Sequence, residues 1–252
     1  MREHRALNAI LAPGGITPVY QPIMKVQSAP VLQGFECLAR GPKGTNFESA
    51  QVMFEYVRLK HEETVVDRAC VVAALANAPA THLTVNVHAS TLVRDRGFTD
   101  FICTTAQEHG KSCDQMTIEI VEHAPSWDTA TLTAALDRLR DVGMRISLDD
   151  IGLGQSNFKM ILDVRPDFLK LDRYFVESCH QDRNRQAVIT SVAHLATHFG
   201  AELVAEGVDC AETMETLRGF GVRYMQGDWF AAPMSGEEAK TFAAGALASR
   251  AG

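Results

Sequence analysis

The sequence predicts an α/β protein, a modified TIM-like (β/α)8 barrel with an antiparallel first strand. Short runs rich in β-branched and aromatic residues alternate with longer segments of helical period along almost the whole chain, the pattern of a largely parallel sheet covered by helices. Eight such runs in 252 residues match the size of one β/α barrel. The first two runs are joined by only Gln27-Ser28-Ala29-Pro30, whereas parallel neighbours need a crossover of about a dozen residues, so this pair is expected to be an antiparallel hairpin.

In order, strands are expected at residues 18–26, 31–39, 83–88, 116–120, 145–149, 167–171, 202–205 and 222–226. Helical periodicity fills the intervals, most clearly over 62–77, 98–109, 128–141, 183–199 and 211–220. No charge run, Gly/Ser linker, low-complexity tract or internal repeat marks a boundary, so residues 1–252 read as a single domain.

Composition narrows the classes of function. The hydrophobic content of 46% supports a full core, and the net charge of −7 argues against a surface for polymeric nucleic acid, which is held by clustered Lys and Arg. A small phosphorylated ligand stays compatible if metal ions supply the positive charge. The six cysteines, at 37, 70, 103, 113, 179 and 210, are far apart and form no Cys-x-x-Cys pair. Neither a zinc site nor a disulfide framework is therefore expected, and a reducing cytoplasm fits. The N-terminal residues carry both signs of charge, and the apolar stretch 6–12 ends at Pro13-Gly14-Gly15, so neither a signal peptide nor a membrane span is expected.

The polar residues inside the strands are the informative ones. Buried parallel strands should read as apolar runs, yet nearly every one here carries a charged or amide side chain near its C-terminal end. These are Glu36, Asn86, Glu119 with Glu122 beyond it, Asp149-Asp150, Lys170 with Asp172, Glu206 and Gln226. In a β/α barrel those ends share one face, so residues from 36 to 226 would converge. Glu36, Asn86, Glu119, Asp149 and Asp150 together would form a carboxylate cluster that needs cations to stay ionised. Hard oxygen donors select Mg²⁺ or Mn²⁺ over zinc, and the tandem Asp pair could serve two ions, an arrangement suited to phosphodiester hydrolysis. Helix capping accounts for single Asp or Asn residues at such junctions, but not for Glu and Lys within apolar strands.

With these residues, the chain resembles the EAL-domain family of cyclic di-GMP phosphodiesterases from about Val19 to Pro233. The signature motif stands as Glu36-Cys37-Leu38-Ala39-Arg40, with Cys in place of Ala. Around it, in the family's order, lie Tyr20-Gln21-Pro22-Ile23, Val85-Asn86-Val87, Glu119-Ile120-Val121-Glu122, Leu148-Asp149-Asp150-Ile151-Gly152, Lys170-Leu171-Asp172, Ala205-Glu206-Gly207-Val208 and Gln226-Gly227.

The resemblance implies that Glu36, Asn86, Glu119 and Asp149 bind one metal and that Asp149 bridges to a second held also by Asp150, with a bridging water attacking cyclic di-GMP to give linear pGpG. It implies that Lys170 positions that water, that Glu206 and Gln226 complete the water network, and that Glu122 anchors the loop after the fifth strand. Gln21, Arg40 and Asp172 are expected at the ligand, Arg40 because a guanidinium fork fits a phosphate. Mg²⁺ or Mn²⁺ is expected as cofactor and Ca²⁺ as inhibitor. A symmetric dimer contact is expected around residues 157–162 and 183–196.

The loop after the fifth strand departs from the family. It reads Asp150-Ile151-Gly152-Leu153-Gly154-Gln155-Ser156-Asn157, where Leu153 lacks a Thr hydroxyl and Gln155 lacks an aromatic ring. Cys37, His88 and Asp228 are further departures beside the chemistry. A weakly active or inactive cyclic di-GMP receptor that signals through a protein partner is therefore the second reading, and an enolase-type Mg²⁺ barrel enzyme with Lys as base is the third. His194 and His198, four apart, read as ordinary helix histidines, Met53, Phe54, Phe98 and Phe101 as core, and Trp229 as packing near the mouth.

Overall fold

The computed structural model describes residues 2–121, 128–152 and 158–248. Helix α1 (Arg2–Leu11) precedes β1 (Thr17–Val26) and β2 (Pro30–Arg40), followed by α2 (Ala50–Leu59), α3 (Glu63–Ala76) and β3 (His82–His88). Next come α4 (Ala89–Arg94), α5 (Phe98–Glu108), β4 (Met116–Val121), α6 (Thr129–Asp141), β5 (Arg145–Ile151), α7 (Phe158–Val164) and β6 (Phe168–Leu171). The chain finishes with α8 (Arg173–Val176), α9 (Arg183–Phe199), β7 (Glu202–Ala205), α10 (Ala211–Gly219), β8 (Tyr224–Met225) and α11 (Gly236–Ala248).

The eight strands close in chain order into a barrel. β2 through β8 pair in parallel, while β1 runs antiparallel to both β2 and β8, as the short hairpin connection requires. The hairpin register sets Gln21 opposite Glu36. β1 meets β8 through only Met24 and Lys25, and Tyr20 continues that edge by exchanging backbone hydrogen bonds with Met234.

Outward-facing Phe35, Leu83, Ile118, Ile146 and Leu169 are fully buried between sheet and helices. Phe98 lies in this apolar interior, with Phe101 packed against it, while Met53, with Phe54 against it, is buried elsewhere. A second apolar cluster, Ile10, Met53, Val57 and Val66, forms where α1 and α2 lie on α3. None of the helices in the described residues is long and apolar enough to cross a membrane.

Three features depart from expectation. β8 covers two residues, because Val222 closes α10 by donating to Leu217 O (3.1 Å) and Gln226 follows the strand, its N–H donating to Ala205 O (2.8 Å). Four-residue α8 is short enough to leave no readable period. The cysteines are also not all isolated: the sulfurs of Cys103 and Cys113 are 2.7 Å apart, which a separation of ten positions in sequence does not announce.

At the end of the barrel where the parallel strands begin, His82 Nε2 meets Thr117 Oγ1 at 2.7 Å. Burial, then Arg145 and Lys111, push the imidazole down from its ordinary 6.5 to about 4. Above pH 6.5 the ring is neutral in both folded and unfolded chains. As pH falls from there towards 4, the unfolded chain gains a proton the folded chain refuses, so stability drops by up to about 3 kcal/mol. His82→Gln is expected to lose less stability than the wild type between pH 7 and pH 4.5, read from urea midpoints; equal losses would contradict this account.

Candidate metal centre at the barrel mouth

Strand alternation sends Glu36 of β2, Asn86 of β3, Glu119 of β4 and Lys170 of β6 into the barrel interior near its C-terminal mouth. Lys170, 2% exposed, places its ammonium 2.5 Å from Glu206 Oε1, 2.7 Å from Glu119 Oε1, 3.0 Å from Glu36 Oε2 and 3.9 Å from Asp149 Oδ1. Burial alone would push this ammonium towards deprotonation. Glu119, Glu206 and Glu36 outweigh that and hold its pKa well above the usual lysine value.

Glu36 is bonded at both carboxylate oxygens. Its Oε1 accepts from Asn86 Nδ2 (2.9 Å), and its Oε2 accepts from Lys170 and from Gln226 Nε2 (2.8 Å). Burial raises its pKa, but Lys170, Asn86 and Gln226 together bring it below the ordinary value. Gln226 Nε2 also donates to Gln21 Oε1 (2.8 Å), and Gln21 Nε2 donates to Ala231 O (3.2 Å) and Asp228 Oδ1 (3.4 Å). An amide relay thus links the reversed strand to the signature glutamate.

Asp149 and Asp150 would point to opposite faces of a regular strand. Here the β5–β6 register shifts between Leu148 and Ile151, and Asp150 takes a left-handed φ of +54°. Consequently Asp149, Asp150 and Glu206 each bring a carboxylate oxygen within 4.8 Å of the others. Glu206 leaves β7 just before Gly207, whose φ is +70° and where a Cβ would stand 2.4 Å from Arg173 Cβ, so only glycine fits that turn.

Too many negative charges share this mouth for all to ionise. Burial, then Glu36, raises Glu119 well above the usual range; burial raises Glu206 to about 8, and burial with Asp149 raises Asp150 to about 6. Buried Glu119 Oε2 and Gln226 Oε1 have no hydrogen-bond partner among the described residues. Oxygen donors in excess over a single ammonium, with no Cys or His among them, suit hard divalent cations. The expected metal set lies in one connected cluster: Asn86 bonds Glu36, Lys170 bridges Glu36, Glu119 and Glu206, and Glu206 reaches Asp149 and Asp150.

A cavity of about 550 Å³ opens beside the cluster, reaching from Glu36, Asn86 and Asp150 past Arg40 to Phe54 and Cys70. Arg40 donates to its own Ala39 O (3.0 Å) at this wall. Asp172 caps α8 by accepting from Tyr174 N (2.7 Å), which still leaves it near enough to Asp149 and Asp150 to raise their pKa values.

One supporting group went unread in the sequence. Asp67, 1% exposed on the inner face of α3, accepts from His88 N (3.0 Å), His88 Nδ1 (2.9 Å) and Thr91 Oγ1 (2.6 Å), fixing the end of β3 two residues beyond Asn86. Its signal was a lone Asp among Val66, Cys70 and Val71. His194 and His198 are exposed on α9. Trp229 is half exposed after β8. Glu122, Leu153 and Gln155 lie outside the described residues. Within the stretch expected to meet a second copy, Phe158 and Leu162 are 71% and 58% exposed.

The EAL-domain family model matches residues 4–233. The chain belongs to the EAL-domain family. The cyclic di-GMP phosphodiesterase PA2567 of Pseudomonas aeruginosa is 30% identical to this EAL domain over 156 residues, 62% of this chain and 26% of that protein. Cyclic di-GMP phosphodiesterase PdeL of Escherichia coli is 27% identical over 157 residues, 62% of this chain and 43% of that protein. The EAL domain therefore matches between a quarter and under half of these relatives' lengths. Among solved structures, the EAL enzyme Bd1971 with cAMP and cyclic di-GMP bound superposes with a TM-score of 0.84 at 22% identity, covering 96% of this chain and 68% of that one. The FimX EAL domain of Xanthomonas citri in complex with cyclic di-GMP gives 0.79 at 22% identity, covering 93% and 94%. At such identities the likeness is one of fold.

Because Lys170 is bound by three carboxylates, removing its charge should leave them uncompensated. Lys170→Met is expected to cost about 3–5 kcal/mol in chelator, with part recovered by millimolar Mn²⁺. Chemical denaturation with and without Mn²⁺ measures both effects; a variant as stable as the wild type in chelator would contradict the reading of this cluster.

Proposed function

We propose that this EAL domain hydrolyses cyclic di-GMP to linear pGpG with two divalent cations, Mg²⁺ or Mn²⁺. The observation that carries the proposal is the convergence of Glu36, Glu119, Asp149, Asp150 and Glu206 around one ammonium, at the mouth of a barrel and beside a cavity rimmed by Arg40. The relatives named for cyclic di-GMP hydrolysis support the choice of substrate.

Glu36, Asn86, Glu119 and Asp149 would hold one ion, and Asp149 with Asp150 the other, Glu206 lying against that pair. When bound, the ions supply a water acidic enough to attack and neutralise charge on the phosphodiester. The chain's own groups set the geometry. Lys170 keeps Glu36, Glu119 and Glu206 on one centre and would position a water there once a cation takes over one of these carboxylates. Gln226 fixes Glu36 and Gln21 through one amide nitrogen, so Gln21 is oriented towards the ligand from the reversed strand. Arg40 faces the cavity that would take the dinucleotide, where its planar fork pairs with a phosphate oxygen. Lys170 is too tightly ion-paired to release its proton, which disfavours the enolase-type alternative with Lys as base.

Incubation with cyclic di-GMP and Mg²⁺ or Mn²⁺ is expected to yield pGpG by chromatography, and Ca²⁺ to suppress it. Glu36→Ala should lower turnover by roughly 10³-fold, the scale of several kcal/mol of lost metal assistance. Intact substrate with calorimetric binding would replace the enzyme with the nucleotide receptor. Arg40→Ala should raise KM about 10–100-fold with a smaller effect on kcat, and Arg40→Lys should restore only part; an unchanged KM would remove Arg40 from the ligand site.

A further inference from the structure

Cys103 and Cys113 lie apart from the barrel mouth. Cys103 is on α5, and Cys113 opens the short 3-10 turn Cys113–Gln115 from which β4 starts. Their sulfurs are 2.7 Å apart, about 0.7 Å beyond the disulfide bond length. Both are half-buried, so a small oxidant can reach them.

Both sulfurs sit on firm supports. Ile102 and Ala106 anchor α5 in the core. Ser112 and Gln115 cap the turn reciprocally, and buried Lys111 just before it donates to Pro79 O (3.2 Å) and Thr81 O (2.6 Å). The approach of the thiols is therefore built into the fold, and closing the bond asks for little movement.

We propose that Cys103 and Cys113 are a reversible dithiol–disulfide pair, oxidised by low-molecular-weight disulfides of the glutathione class, that staples α5 to the start of β4. The Cys113 thiolate attacks one sulfur of the small disulfide and releases one small thiol. The Cys103 sulfur then loses its proton, attacks the Cys113 sulfur of the mixed disulfide and expels the second small thiol. Two electrons and two protons pass from the protein pair to the small disulfide, which leaves as two thiols. Cys103 is the poorer first nucleophile, because burial, then the contact with Cys113, raises its thiol to about 12.

The staple lies at the opposite end of β4 from Glu119, the end of a β/α barrel that serves stability rather than chemistry. Oxidation is therefore expected to stiffen the domain without altering its turnover.

The purified chain would be equilibrated anaerobically in glutathione buffers of stepped redox ratio, quenched in acid, alkylated and mapped by mass spectrometry. The expected product has lost two hydrogens, links Cys103 to Cys113 and carries alkyl groups on Cys37, Cys70, Cys179 and Cys210. Its Tm should rise by roughly 5–10 °C, return on reduction, and stay unmoved in Cys103→Ser and in Cys113→Ser. Stable glutathione adducts without the internal link, a link between other cysteines, or full alkylation of both sulfurs in the oxidising buffers would each overturn the proposal. Mapping reads the bond directly, so it stands even if either variant folds poorly.

Discussion

The buried ammonium of Lys170 is the constraint around which the barrel mouth is organised. An ammonium in a protein interior costs several kcal/mol unless carboxylates and good geometry repay it. Here Glu36, Glu119 and Glu206, drawn from β2, β4 and the end of β7, meet it within 3.0 Å. No two of these strands are neighbours, so only closure of the whole barrel brings the charges together. The same interaction that stabilises the centre therefore makes the centre depend on the complete fold.

Around that hub the side chains are held by partners one step further out. Gln226 and Asn86 fix the two oxygens of Glu36, Gln21 reaches Gln226 from the reversed first strand, and Asp67 pins His88 just past Asn86. The antiparallel β1 has a chemical consequence as well as a topological one: it sets Gln21 opposite Glu36 at the mouth. The irregularity in β5 has another, since it turns Asp150 to the same side as Asp149. Excess negative charge remains after all these bonds, and it is this excess that suits the site to divalent cations.

Most of the strand order was legible in the sequence because buried parallel strands are apolar and their polar exceptions are costly. Glu36, Glu119 and Lys170 stood out on that ground alone. The Asp149-Asp150 pair was legible as a candidate, but the bulge that aims both carboxylates inward depends on pairing with β6 and has no local signature. Asp67 was missed because one Asp on a helix reads as surface until the helix face is known. The Cys103–Cys113 contact was missed for a related reason: it depends on how α5 docks, not on spacing. The linkage of the expected ligands into one cluster through Lys170 and Glu206 likewise comes from barrel closure and has no local signature.

The most direct test of the central claim is anomalous diffraction from crystals grown with Mn²⁺. The account predicts two Mn²⁺ peaks at the barrel mouth, one against Glu36, Asn86, Glu119 and Asp149 and the other against Asp149 and Asp150, with Lys170 still bonded to its carboxylates. A mouth that holds no Mn²⁺ at concentrations that saturate the protein elsewhere would contradict it.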